Sequence, residues 1–212
     1  MTKRLVNNKT KRQQDILDVA ARLFSLRGFD GTSMSEIANG SGMLKGSLYY
    51  YFKSKRDLAV KVIGGYLEES IGNLGKILDL ESSYTEKLQL AIQSHITFFC
   101  DNLPFTSFAY DHDHVYFHPM TRKQINRTRD EYEKLWRRLI SEGIRSGEFR
   151  AGLDEAMVAR GILGMCNWMG KWYRKDGQSS PYQIAELFND LAQNGLRAVP
   201  FKPATRGAQD RI

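Results

Sequence analysis

The stretch from Ser33 to Asp57, SMSEIANGSGMLKGSLYYYFKSKRD, constrains this chain more than any other. It reads as two short helices broken at Gly40, Ser41 and Gly42, followed by the capped start of a third. The second short helix, Leu44 to Tyr51, carries Lys45, Ser47 and three successive tyrosines, Tyr49, Tyr50 and Tyr51. Donors and flat rings on so compact a rod suit the major groove of DNA, and this element is expected to be a recognition helix.

Met34, Ile37 and Ala38 are expected to face inward, with Ser33 or Ser35 as N-cap and free N–H groups at the helix start available to a phosphate. Leu48 lies midway between Leu44 and Phe52 at helical spacing. That predicts all three on one buried face and turns Lys45, Ser47, Tyr49 and Tyr50 outward. Ser54 and Asp57 form a capping-box-like start that would hold Lys55 and Arg56 beside a positive helix end, where a DNA phosphate would sit. Core packing is the competing reading for Tyr51 and Phe52, and a solvated charged face for Lys53, Lys55 and Arg56.

With its turn glycines, buried leucine, tyrosines and cap, the sequence from Thr32 to Leu58 resembles the DNA-binding half of the TetR family of one-component bacterial repressors. The resemblance implies phosphate contacts from Thr32, Ser33, Tyr49, Tyr51 and Lys55. It also implies base-edge contacts from Lys45, Ser47 and Tyr50, with Gly46 on the same surface. Leu44 stands where a small polar residue is common in the family, and Tyr50 where histidine is common, so the operator sequence does not follow from the motif.

Charge supports a polyanionic partner for this segment alone. Residues 1–63 hold 12 Lys and Arg against 5 Asp and Glu, and the rest of the chain holds 19 against 19, so the net +7 sits with the helix-turn-helix. At 212 residues the chain has room for one large or two small domains. Cys100 and Cys166 lie in apolar helical stretches and read as buried thiols rather than a disulfide framework. The N-terminus lacks the apolar core of a signal peptide, and the longest apolar run, residues 161–170, is too short to span a bilayer; a cytoplasmic protein is expected.

Residues 1–9 are basic and aperiodic and are expected to form a flexible arm. Ile16, Val19, Ala20, Leu23 and Phe24 predict a helix from Thr10 to Arg27 that Gly28 ends. Together with the two short helices it makes a three-helix helix-turn-helix DNA-binding domain over residues 1–54. A long helix from Lys55 to about Leu80 opens a larger helical ligand-binding and dimerisation domain, residues 55–198, ahead of a disordered tail, 199–212. The expected fold is all-α. Gly64, Gly65, Gly72 and Gly75 weaken the long helix by roughly 1 kcal/mol each relative to alanine. They either pass ligand-driven displacement to the DNA-binding half or admit a close-packed neighbour.

Leu88, Ala91, Ile92, Ile96 and Phe99 predict a helix from Tyr84 to Asp101, with His95 as a core histidine. Asp111, His112, Asp113, His114 and His118 are metal-ligand types, but His112 and His114 diverge on a helix and Pro119 interrupts the next turn. A connecting segment at the mouth of a pocket is preferred, and no metal or cofactor is expected. An amphipathic helix from Pro119 carries Ile125, Tyr132, Trp136, Leu139 and Ile140. Asp154 caps the next, which runs to Trp172 and is apolar nearly all round, as if one face met the pocket and another a second subunit. Ile184, Leu187, Phe188 and Leu191 define a last helix expected to pair with its own copy across a two-fold axis.

The run from Glu142 to Phe149, followed by Asn167, Trp168, Trp172, Tyr173 and Arg174, is similar to the sensor half of a TetR subgroup responsive to acyl-CoA thioesters. That similarity implies a cavity lined by Phe98, Met165, Trp168 and Trp172, with Arg160 or Arg174 facing CoA phosphates. A Trp-rich core with solvated arginines is the alternative at each position. The expected function is a homodimeric repressor that binds palindromic double-stranded DNA and is released by a small-molecule effector, an acyl-CoA thioester if the similarity extends that far. The alternatives are a regulator of an efflux or stress gene answering to a hydrophobic drug-like ligand, and a ligand-independent architectural DNA-binding protein. An enzyme would need a convergent acid, base or nucleophile, and apart from the segment of His112, His114 and His118 none stands at helical spacing, so catalysis is not expected.

Overall fold

In a computed structural model, residues 2–103 and 119–196 are described, and among them the chain is helical without a β-sheet. The helices are α1 (Thr2–Arg27), α2 (Met34–Gly40), α3 (Lys45–Tyr51), α4 (Lys55–Leu78), α5 (Tyr84–Asp101), α6 (Pro119–Arg145), α7 (Glu155–Asn167), α8 (Met169–Trp172) and α9 (Pro181–Leu196). The segment from Asp111 to His118 and the tail 199–212 lie outside the described residues.

Side-chain oxygens written into the sequence start the helices. Ser33 and Glu36 close a reciprocal capping box on α2, with Glu36 N–H donating to Ser33 Oγ at 3.2 Å and Ser33 N–H donating to Glu36 Oε2 at 2.8 Å. Ser83 and Glu86 repeat it on α5. Ser54 caps α4 by accepting from Asp57 N–H at 3.1 Å, while Asp57 reaches back to Lys53 N–H at 3.0 Å. Asp154 caps α7 through the N–H groups of Ala156 and Met157.

Two hydrophobic cores result, and α4 belongs to both. The first gathers Ile16, Ala20 and Phe24 of α1, Ile37 and Ala38 of α2, and Leu48 of α3 with Leu58, Val62 and Ile63 from the first half of α4. The second gathers Leu74 and Leu78 from the other half of α4 with Ile92 and Ile96 of α5, Trp136 and Ile140 of α6, and residues of α7 and α9. The cores therefore divide inside α4, and the first continues past residue 54, the boundary expected for the DNA-binding domain, to Tyr66 and Leu67. Gly64, Gly65, Gly72 and Gly75 lie along this shared rod, and a Cβ added at any of them would meet nothing within 4 Å. Among the described residues they therefore admit no close-packed neighbour.

The backbone departs from expectation at several places. Helix α1 starts at Thr2, so residues 2–9 continue it rather than forming a loose arm; no glycine or proline interrupts that stretch. Leu44, expected on a buried face with Leu48 and Phe52, is the N-cap of α3 and 80% exposed, because its extended backbone leaves the helical register. The helix expected to run unbroken from Asp154 to Trp172 divides at Trp168 into α7 and α8. The apolar stripe of α9 also divides: Ile184 and Ala185 are buried, in line with α9 packing on α5, while Leu187 and Leu191 are exposed on its other side.

Candidate DNA interface and sensor core

The recognition element is held from beneath and open above. Leu48 is fully buried and Phe52 nearly so, anchoring α3 on the first core. Lys45, Gly46, Ser47, Tyr49 and Tyr50 are exposed, Tyr50 at 73%. Tyr51 is half-buried and meets the Tyr50 ring edge-on, with centroids 5.3 Å apart.

Contacts that no motif announces fix the turn. Arg12 of α1 donates to the carbonyl of Ser41 at 2.8 Å, so the turn between α2 and α3 is tied to the first helix. Gly42 adopts φ +63 there, a conformation open to glycine. At Gly40 the reason is space, since a Cβ would fall 2.8 Å from Val19 Cγ1. Arg27 pairs with Glu36 at 2.6 Å across α1 and α2. Serine donors at the cap and this arginine together hold the Glu36 carboxyl below the usual carboxylate range.

Two residues expected to touch phosphate make side-chain hydrogen bonds within the chain. Thr32 is only 2% exposed, and its hydroxyl lies within bonding distance of the carbonyls of Leu23 at 3.2 Å and Gly28 at 2.9 Å, so its side-chain donor is used within the chain. Lys55 donates from Nζ to the carbonyls of Phe29 at 2.8 Å and Thr32 at 2.9 Å and lies over the Phe29 ring. Its carbonyl partners, invisible in the spacing, come from the turn between α1 and α2. Ser33 keeps an exposed hydroxyl that accepts the capping bond from Glu36.

In the second core His95 joins three helices. Its Nδ1 lies 3.0 Å from the Tyr132 hydroxyl on α6 and its Nε2 lies 3.0 Å from Asn167 Oδ1 on α7. With Asn167 so oriented, Nε2–H donates to the amide and Tyr132 O–H donates to Nδ1, the neutral tautomer. The ring is stacked near Phe99 and Tyr132 and edge-on to Trp136. Part of its surface remains accessible, yet the crowding of atoms governs ionisation: burial pushes the imidazole down to about 4, against a smaller upward pull from Asn167. Trp136 is fully buried, and its indole N–H has no hydrogen-bond partner among the described residues. Cys100 and Cys166 are free buried thiols, raised by burial to about 11 and about 12.

The run from Glu142 to Phe149 is a structural clasp. Glu148 accepts the N–H groups of Tyr84 at 2.9 Å and Thr85 at 3.0 Å, capping α5 from outside. Burial opposes ionisation of Glu148, but these donors outweigh it and keep its carboxyl below the usual range. Gly143 is required because the Phe149 ring lies where a Cβ would stand.

Residues 16–62 match the family of bacterial regulatory proteins of the tetR type, and residues 81–196 match the tetracyclin repressor-like C-terminal domain. The chain belongs to the TetR family. It is 29% identical over 195 residues to the HTH-type transcriptional repressor KstR2 of Mycolicibacterium smegmatis, covering 87% of this chain and 90% of that one. It superposes on PfmR, a TetR family regulator from Thermus thermophilus, with a TM-score of 0.73 and 29% identity over 85% of this chain and 97% of that one. AibR in complex with isovaleryl coenzyme A and operator DNA gives a TM-score of 0.70 and 27% identity, again over 85% and 97%. The TetR family consists of transcriptional regulators, and among the described residues no helix is long and apolar enough to cross a membrane.

Of the six residues expected around an effector, Phe98 alone lines one of the cavities among the described residues. Phe98 lines a groove of about 440 Å³ between α4 and α5 with Ile77, Thr97 and Asp101, and its ring meets Tyr66 edge-on at 5.6 Å. Met165 is half-buried on α7. Trp168 and Trp172 face outward, 63% and 44% exposed. Arg160 is paired with Glu133 at 3.0 Å, and Arg174 donates to the neighbouring Tyr173 carbonyl at 2.9 Å. Among the described residues no group of His, Cys, Asp and Glu could hold a metal ion.

Proposed function

We propose that this TetR-family chain is a homodimeric repressor whose two α3 helices enter successive major grooves of a palindromic operator, about 34 Å apart, and that a small molecule bound in the second core releases it. The single observation that carries this reading is the outward α3 surface of Lys45, Gly46, Ser47, Tyr49 and Tyr50 on a helix anchored by Leu48 and Phe52. Base edges fall to Lys45, Ser47 and Tyr50, and phosphates to Ser33, Tyr49 and Tyr51. Thr32 and Lys55 support the surface from inside. The exposed Trp168, Trp172, Leu187 and Leu191 supply the face for the second subunit.

Release follows from α4 being shared. Its first half is packed into the DNA-binding core and its second half into the sensing core, so displacement at one end is felt at the other. Tyr66 and Phe98 add a ring contact between α4 and α5. Effector and operator then oppose each other by one coupling energy, typically about 1 to 3 kcal/mol.

An acyl-CoA thioester is the proposed effector, supported by the likeness to AibR, whose solved complex holds isovaleryl coenzyme A. The Trp136 N–H is a donor of the kind a thioester carbonyl would accept from. An uncharged hydrophobic ligand is the second reading, because no lysine or arginine lines the described groove beside Phe98. Selection from a random duplex library, followed by titration of the bound complex with isovaleryl-CoA, free CoA and a neutral lipophilic dye, separates these. Release by the thioester alone supports the first, release by the dye alone supports the second, and failure to enrich any palindrome removes the operator reading.

A further inference from the structure

Two residues at the leading end of α3 are poorly explained by the fold. Leu44 occupies the N-cap but makes no capping hydrogen bond, and its 80% exposure is the highest of any large exposed hydrophobic residue described. A hydroxyl or amide side chain would serve that position better. Gly46 has no positive φ, and a Cβ there would meet nothing within 4 Å, so an alanine would fit and favour the helix. A leucine left in water and a glycine left in a helix, two positions apart, both run against local stability. Conflicts of that kind mark a surface shaped by something outside the chain.

The setting says what that something is. Lys45, Ser47 and Tyr50 flank the pair and are exposed, and residues 1–63 carry the chain's entire excess of positive charge. An apolar protein surface does not match such surroundings, whereas a polyanion does. In the major groove of DNA, the apolar feature on a base edge is the 5-methyl group of thymine. We infer that Leu44 reads thymine, its side chain seated against a 5-methyl group in each operator half-site, and that Gly46 leaves the helix surface bare so the duplex can come close enough. This rests on α3 being the DNA-reading helix, and it adds an apolar contact to the polar ones assigned above.

Uracil tests the contact directly, because replacing thymine by uracil removes the methyl and preserves base pairing and every hydrogen-bonding group on the base edge. After an operator is selected from random duplex, each thymine of a half-site is replaced in turn and binding is measured by fluorescence anisotropy. For the wild-type chain, uracil at one or two positions is expected to weaken binding about fourfold per methyl. Leu44→Ala, whose melting temperature should not change, is expected to bind the thymine operator more weakly and to be indifferent to uracil at those positions. Gly46→Ala should melt higher yet bind the operator less well. The inference is overturned if uracil is neutral at every position, if the half-site holds no thymine, or if Leu44→Ala keeps the wild-type sensitivity to uracil. Absence of any enriched sequence would instead overturn the assignment of α3 as the reading helix.

Discussion

The Lys55 ammonium lies 4.3 Å above the centroid of the Phe29 ring while donating to the Phe29 carbonyl at 2.8 Å. A cation held this way ties the start of α4 to the turn that carries the chain from α1 into α2. Lys55→Ala should therefore lower the stability of the DNA-binding half by about 1 to 3 kcal/mol, since two carbonyls lose a charged donor and the ring loses its cation. Lys45→Ala, at an exposed position, should leave thermal denaturation unchanged and reduce the salt dependence of DNA binding by about one unit of slope. Equal melting temperatures for the two variants would show that Lys55 is not structural.

His95 sets a pH window. Its folded-state value of about 4 lies below the ordinary 6.5, so the neutral ring favours the folded state above pH 6.5, and that contribution drains away as pH falls toward 4. Glu142 and Glu148 are shifted down, so what they add is lost only on acidification through and below the ordinary carboxylate range. Between pH 6.5 and 4.5 the loss due to His95 should reach about 2 kcal/mol. Urea denaturation at pH 7, 6 and 5 should show that slope, and His95→Gln, which keeps a donor and an acceptor, should flatten it.

The glycines of α4 can be tested by filling them. Gly72→Ala and Gly75→Ala meet open space, so each should stabilise the chain by up to about 1 kcal/mol. If these positions also let α4 yield, the double variant should need more effector to leave its operator, with little change in affinity for DNA alone. An unaltered effector titration would confine the glycines to a local cost in helix stability.

Leu187 and Leu191 share the exposed face of α9, 56% and 55% accessible. Replacing both by aspartate puts two charges on a face proposed to be buried between subunits. Sedimentation should then report a single-chain particle, and operator affinity should fall by at least about a hundredfold, because one recognition helix contacts only half the site. A double variant that stays dimeric would move the subunit interface elsewhere.

Much of the molecule was legible from residue order alone, because caps, turns and amphipathic stripes act over a few residues. Ser33 with Glu36, Ser54 with Asp57, and Asp154 mark helix starts that the structure confirms. Leu48, Phe52, Ile92 and Ile96 are buried as their spacing requires. The excess of positive charge and the outward tyrosines were equally readable. What spacing could not supply were partners distant along the chain. Nothing in the spacing announces the bonds that Lys55 makes to the carbonyls of Phe29 and Thr32, or that Thr32 makes to those of Leu23 and Gly28. His95 becomes a three-helix junction only when α6 and α7 bring Tyr132 and Asn167 to its two nitrogens. Leu44 kept the periodicity of a buried residue, but the extended backbone at the helix cap turned it outward. Local hydrogen bonding determined where helices begin, and long-range packing decided which of their side chains remain free to meet something else.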